Sequence, residues 1–589
     1  MTEEKHTLSR TGKRQQPISP GEINPGARNG RTIAARKAGV GLLSIAALTL
    51  AACSSGDNAD SADGPGIDVH PEGDYHPVDR DQLQDGGELR LPIGEIPEQQ
   101  NALHANFTSD TVALWEWYNP QLYLLDDGGN LEYNPDYFTD VTHEEIDGKT
   151  VVTYELVDEA TFNDGTPIDW RAFEATWKAL NGENTEFQPA ATDGYDSVES
   201  VVAGDSEKHA VVTYKSIYPW WEEPFTTLLH PDIDTPEEFN EGYLNQMRPE
   251  WGAGPFTVAS TDFQAGNVVF EANDKWWGDE PKLDRVTLRQ LESQAVVNAF
   301  RSGEIDAADV SDKNSLAVVQ QMGNDVDIRA SLTPYQRMFS LNSESPQLAD
   351  LGVRHGILAG IDREQLAEIR FNGLGYEEEM PGSMVFMTIQ DEYQDNVSEV
   401  VEYDPENAKQ LLKSSGYEMD GEFYSKDGER LSLRYVLIGD DDVSKATARA
   451  LQAMMREIGV ELSIEERPSS EFANVLEERD FDVFLSGVGV TGPDSGVVYF
   501  SYFFSTDSNL DLSRTGTEEM DAKIEEMRQL DTADEQRMRA NELEKEAFAQ
   551  YGRLPYANGP QMTAVKSGLA NYGPRVFTVL EKQNIGWEK

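Results

Sequence analysis

The chain is poor in the groups that most often carry chemistry. It has one cysteine in 589 residues, which excludes a disulfide framework and a zinc ribbon. Its eight histidines (His6, His70, His76, His104, His143, His209, His230 and His355) stand at no metal-ligand spacing. There is no His-Glu-x-x-His and no Gly-x-Ser-x-Gly, and the single cysteine has no catalytic setting. Positive charge is scarce, with 48 Lys and Arg against 107 Asp and Glu, for a net charge of −59. Such a surface repels a polyanion, so nucleic acid is not an expected partner. No apolar run reaches the roughly 20 residues that span a bilayer. What remains, 38% hydrophobic residues with ten Trp, is ample for large folded cores.

The scarce basic residues are unevenly placed. Residues 1–52 hold eight of them against three acids, so the remaining chain carries −64. Arg31, Arg36 and Lys37 precede the uncharged run Ala38–Ala52, which leads into the single cysteine, Cys53. A basic stretch followed by a short apolar core is the pattern of an export signal. Leu50-Ala51-Ala52-Cys53 resembles a bacterial lipobox, in which the cysteine is diacylated. Two acyl chains, at about 0.8 kcal/mol per buried methylene, would hold the protein durably on a membrane. The expected plan is a signal peptide over 1–52 and a polar tether over 53–86, with folded structure starting near Gly87.

Beyond Gly87, strand-like alternation and helical periodicity take turns, which indicates an α/β fold. Strands are expected at Gly87–Ile93, Thr150–Leu156, His209–Tyr214, Leu431–Ile438, Val460–Ile464 and Phe481–Leu485. Helices are expected at Gly352–Arg370, Pro405–Lys413, Val443–Ile458 and Glu518–Phe548. A further helix is expected to start with Thr166 as N-cap and Pro167 at its first position.

Several segments then carry a family resemblance. Phe162-Asn163-Asp164-Gly165-Thr166-Pro167 running to Trp177-Lys178 resembles a signature of family 5 extracellular solute-binding proteins, the dipeptide- and oligopeptide-type receptors of ABC importers. Gly252-Ala253-Gly254-Pro255-Phe256, Asn273–Gly278 and Phe300–Asp306 are similar to later family segments, in family order. So are Phe339–Asn342, Ala359–Glu364 and Tyr403–Ala408. The resemblance implies a two-lobed, periplasmic-binding-protein-like clamp with an extra subdomain on its first lobe. That lobe would cover 87–335, the second lobe 336–551, and the chain would return to the first over 552–589. It further implies a monomer without cofactor or catalysis, which encloses a peptide or other small organic ligand and presents it to a permease and ATPase complex.

The segment Gly487-Val488-Gly489-Val490-Thr491-Gly492 formally matches a dinucleotide fingerprint, but Pro493-Asp494 and the β-prone Val497–Phe504 follow instead of a helix. A glycine-rich loop lining the cleft is the expected reading. In characterised peptide binders of the family, an Asp three or four residues before the loop proline holds the ligand ammonium. Here those places hold Val490 and Gly489. Asp494 is a substitute anchor or a turn acid; if it lines the cleft, a ligand cation or a protein Arg or Lys must face it. Trp115, Trp117 and Tyr118 are candidate cleft aromatics or core, and Asp440-Asp441-Asp442 is expected to be a solvated loop. Two rival classes stand beside the import receptor. One is an envelope lipoprotein serving glycolipid assembly, whose actinobacterial representatives the segment Tyr218-Pro219-Trp220-Trp221-Glu222 resembles. The other is a surface hydrolase with paired carboxylates, which has no motif of its own here.

Overall fold

The structure is a computed structural model, and it describes residues 67–589 apart from Glu72, Asp440, Ser469, Ser470, Thr491, Asp507 and Asn509. Cys53 and the expected signal peptide lie outside the described residues. Among the described residues no helix is long and apolar enough to cross a membrane.

The first lobe is built on three sheets. Glu88–Ile93 runs parallel to Arg285–Gln290, and the hairpin Phe256–Asp262 with Asn267–Ala272 completes a four-stranded sheet. A second sheet joins Ala307–Asp309, Pro560–Lys566 and Val326–Leu332. The third forms the subdomain, with Phe138–Ile146, Lys149–Leu156, His209–Tyr214 and Val198–Ala203 in that spatial order. Lys149–Leu156 buries every second residue because alternate side chains of a strand face opposite sides, and Val152, Tyr154 and Leu156 point into one core. The helix Trp170–Leu180 closes that core with Phe173, which is fully buried.

This helix begins later than its sequence suggests. Phe162 N donates to the Thr166 carbonyl and Gly165 sits at φ +96°, so Asn163-Asp164-Gly165 forms a tight turn. Asp169 is the N-cap instead, and its Oδ1 accepts from Arg171 N at 2.9 Å.

The second lobe is built on a five-stranded sheet in the order Glu461–Arg467, Ser432–Ile438, Val483–Gly489, Tyr335–Leu341, Arg553–Ala557, with a small three-stranded sheet over Glu418–Asp420, Phe423–Lys426 and Glu429–Arg430. The first three strands are parallel, Tyr335–Leu341 is antiparallel to both of its neighbours, and Arg553–Ala557 therefore runs in the same direction as the first three. The chain enters this sheet through Thr333-Pro334 and leaves it through Asn558-Gly559. The return therefore comes later than residue 552, because Arg553–Ala557 completes the second sheet before the chain crosses back. Two expected long helices are each broken in two by an internal cap. Asp362 Oδ1 accepts from Gln365 N at 3.0 Å and separates Leu351–Ala359 from Arg363–Phe371. Thr532 Oγ1 caps Ala533–Phe548 through Glu535 N and separates it from Glu518–Arg528. Asp441 caps Asp442–Glu457 through Ser444 N, and Asp440 lies outside the described residues.

Two further expectations change. Residues 67–86 are not free tether: Leu83 is fully buried, Ile67 and Val69 pack on the core, and Arg80 donates to Gln583 O and Asn584 Oδ1. The apolar stretch Val497–Phe504 forms the short helices Ser495–Val498 and Phe500–Phe504 rather than a strand. Helical spacing stacks Phe500 on Phe504, with ring centroids 4.6 Å apart, and sets Phe504 against Phe548.

Candidate ligand cleft

The parallel strands of the second lobe end where its loops meet the first lobe, the place where open α/β sheets bind ligands. The segment after Val483–Gly489 turns through Pro493-Asp494 at this edge. The glycine-rich segment is only partly a loop, because Gly487, Val488 and Gly489 belong to the strand, with Gly489 opposite Tyr335. Val490 N donates to Pro334 O at 2.7 Å, and its side chain packs with Leu125, Met387 and Phe577 in an apolar cluster that joins the lobes. Val490 thus takes a packing place at the hinge.

The lobes meet directly across the cleft. Trp220 Nε1 of the subdomain donates to Gln536 Oε1 of the second lobe at 2.8 Å, and Tyr502 Oη donates to Asp193. Beside these bridges Arg537 clamps Asp494, with Nε to Oδ1 at 2.6 Å and Nη2 to Oδ2 at 2.7 Å. Arg537 also bonds Asp534 at 2.8 Å and lies over the Trp220 ring at 5.5 Å. The bidentate hydrogen bond to Asp494 raises its already high pKa further. Asp494 is consequently half of a protein ion pair, with both oxygens engaged. The anchor role considered for it in the sequence is displaced, because its negative charge is already matched.

The free negative charge stands opposite, in two acids that the sequence reading had not selected. Glu222 and Glu223 end the Tyr218–Glu223 stretch and have no ion-pair partner among the described residues. Both side chains are exposed to solvent. Desolvation by the surrounding protein, and then the Asp494 and Glu222 charges, push the Glu223 carboxyl up to about 7. Burial raises Glu222 as well, while His143 and Arg537 oppose the rise. Tyr499 and Tyr502, stacked with centroids 5.2 Å apart, extend the same wall from the second lobe. Burial and then the nearby Glu223 and Asp193 raise the Tyr499 hydroxyl, which places it beside both lobes' acids.

Trp115, Trp117 and Tyr118 belong elsewhere. They are 5%, 5% and 0% exposed in the core of the first lobe. Trp115 packs on Tyr243 and donates to Thr227, while Trp117 meets Phe256 edge-on at 5.4 Å. Rings with this much contact are core, the second of the two readings open for them in the sequence, and Tyr499 and Tyr502 stand beside the cleft acids instead. The signal that could have located the wall was the chain stretch where four aromatic or proline residues run into paired acids.

Two lobes joined twice, closing over a polar space walled by aromatic rings, define a receptor that encloses a small solute. The comparisons give the family. Residues 132–510 match the model of bacterial extracellular solute-binding proteins, family 5, middle region, and the chain belongs to that family. It is 32% identical over 557 residues to the oligopeptide-binding protein OppA of Mycobacterium tuberculosis, covering 92% of each chain. A probable monoacyl phosphatidylinositol tetramannoside-binding protein, LpqW, of the same organism is 27% identical over 345 residues, 53% of each chain. Among solved structures, the periplasmic EDTA-binding protein EppA superposes with a TM-score of 0.80 at 19% identity, over 88% of this chain and 98% of its own. The chain is accordingly a substrate-binding receptor with the two-lobed fold of its family.

Proposed function

We propose that the protein is a lipid-anchored receptor that captures peptides by their free N-terminus and delivers them to a membrane permease, without covalent chemistry. The observation that carries the peptide reading is the pair of unmatched carboxylates, Glu222 and Glu223, facing the neutralised Asp494–Arg537 pair across the cleft. Two adjacent carboxylates with a third beside them make a site of negative potential that favours a cation, and a peptide ammonium supplies one together with backbone and side chains for the aromatic wall. The similarity to an oligopeptide-binding protein over nearly the full length supports the same reading. The envelope-assembly alternative rests on a relative matched over only about half the chain.

The test is isothermal calorimetry with one peptide in free and N-acetylated forms. Acetylation is expected to weaken binding at least tenfold, and Glu223→Gln to remove most of that difference. Because only ionised Glu223 attracts an ammonium, affinity for the free peptide should rise as pH passes upward through about 7 and fall toward pH 5.5. Equal affinity of both forms at every pH would reject capture by the N-terminus. Anchoring is read separately: Cys53→Ala should move the protein from the membrane fraction to the soluble fraction, and unchanged membrane retention would reject the lipid anchor.

A further inference from the structure

The far end of the second lobe, one strand length from the hinge, gathers basic groups that the cleft does not use. Tyr335–Leu341 starts beside the Thr333-Pro334 crossing and ends there, while Val483–Gly489 starts there and ends at the cleft. Between these two strand ends opens a pocket of about 410 Å³, whose walls include Asn342, Glu344, Ser345, Arg434, Arg479 and Asp482. Asn342 Nδ2 holds the chain on one side of it, donating to Phe481 O at 3.1 Å and Arg479 O at 3.3 Å.

Most acids of this region are already engaged. Asp480 accepts from Arg434 at 2.8 Å and from Arg467 at 3.1 Å. Asp482 accepts from Arg434 N and Ser345 Oγ, each at 2.7 Å. The buried Asp511 accepts from Arg553 at 3.1 Å and from Ser513 Oγ at 2.6 Å. Arg479 and Arg514 are left with one near carboxylate, Glu344, which is 63% exposed and stands 3.9 Å from Arg514 Nε, beyond hydrogen-bond reach. Glu478 also lines the pocket, exposed and paired with neither. Arg514 donates to Ser508 O at 3.0 Å, but the Arg479 guanidinium forms no ion pair and no hydrogen bond among the described residues. The buried Nε atoms of Arg479, Arg514 and Arg553 all lack an acceptor.

The backbone makes the same two arginines conspicuous. Both hold a left-handed φ, +51° at Arg479 and +54° at Arg514, where any side chain costs strain that glycine avoids. Arg479 closes the helix Phe472–Glu478 at the position glycine most often fills. Strain of this kind marks residues kept for their side chains, and inside the protein the Arg479 side chain bonds to nothing. Burial, and then repulsion from Arg514, pull the Arg479 pKa down, so a bound anion would favour its charged form.

We propose that this pocket is an oxyanion site in which Arg479 and Arg514 hold a phosphate group, either free phosphate or that of a glycerophospholipid head. Guanidinium forks match phosphate oxygens, and a tetrahedral anion can accept from both side chains at once. At about 410 Å³ the pocket also admits an ester substituent. The site lies on the second lobe alone and does not depend on the peptide reading.

The test uses the full chain in a Cys53→Ala background, so that no acyl chain contributes to lipid binding. Calorimetry at fixed ionic strength reads inorganic phosphate and glycerol 3-phosphate, and co-sedimentation reads phosphatidylglycerol vesicles. Binding is expected to weaken at least tenfold in Arg479→Gln and to tighten about threefold in Glu344→Gln, which removes the competing carboxylate. Arg479→Gly should lose the anion yet melt at a higher temperature, because it relieves the strained φ. Vesicle binding that Arg479→Gln abolishes assigns the site to a lipid head, and binding of the soluble anions alone assigns it to free phosphate. No binding of any of the three probes overturns the site, as does an affinity that survives Arg479→Gln. Acetate bound as tightly as phosphate overturns the choice of phosphate.

Discussion

Glu544→Ala is expected to destabilise the second lobe by about 3 kcal/mol or more, since breaking a satisfied buried charge cluster leaves its partners unpaired. Glu544 is fully buried on the helix Ala533–Phe548. Its Oε1 accepts from Met384 N at 2.6 Å and Val385 N at 3.1 Å, and its Oε2 from Ser383 Oγ and Asn396 Nδ2, each at 2.7 Å. Burial pushes its carboxyl up to about 7 against the pull of those four donors. The carboxylate thereby holds the loop of residues 383–385 to the helix, and the alanine strands the Met384 amide in a dry interior while Val385 N keeps only its bond to Ser383 Oγ at 3.0 Å. Glu544→Gln should cost less, because one oxygen remains for Met384 and Val385 while the new amide opposes Ser383 and Asn396. Urea unfolding reads both. A loss below about 1 kcal/mol for the alanine variant would show that water or rearrangement satisfies those donors.

Arg537→Ala is expected to weaken ligand binding by about 30-fold through the closed state, which corresponds to about 2 kcal/mol. The Asp494–Arg537 pair is three-quarters or more buried, with side-chain exposures of 16% and 25%. Its loss is therefore set below the roughly 3–5 kcal/mol of a fully buried pair. Without Arg537, Asp494 stands uncompensated near Glu222 and Glu223, so three carboxylates repel one another across the cleft when the lobes meet. The open form has no such penalty, and the equilibrium shifts toward it. Small-angle scattering should show a larger radius of gyration for the variant without ligand, and calorimetry should show the weaker affinity. An unchanged radius with unchanged affinity would mean that the ion pair stabilises neither closure nor the site.

The two kinds of residue in these predictions differ in how far the sequence revealed them. Strand positions were readable because alternation is local: His209–Tyr214 is the strand its pattern suggests, and Glu88–Ile93 begins one residue late. The motif order gave the fold class for the same reason, each segment being a short local structure. Helix breaks at Asp362 and Thr532 were overlooked, although Thr532-Ala533-Asp534-Glu535 carries a capping pattern in plain view. The cleft was less legible. Asp494 and Arg537 are 43 positions apart, and nothing in either neighbourhood announces the other. Among 107 acids, Glu222 and Glu223 are marked only by the aromatic and proline run before them, and the acids alone carry no signal until the fold sets them opposite Asp494. Trp115 and Trp117 show the converse: rings destined for a core and rings destined for a cleft look alike in sequence, and only burial separates them.

The most direct test of capture between the lobes is native mass spectrometry of the protein purified gently from its own envelope. A receptor of the proposed kind should carry a population of adducts that collision releases as short peptides with free N-termini, and Glu223→Gln should deplete that population. A bound population made up of lipid or glycan species, with no peptide among them, would contradict peptide capture and move the protein to envelope assembly.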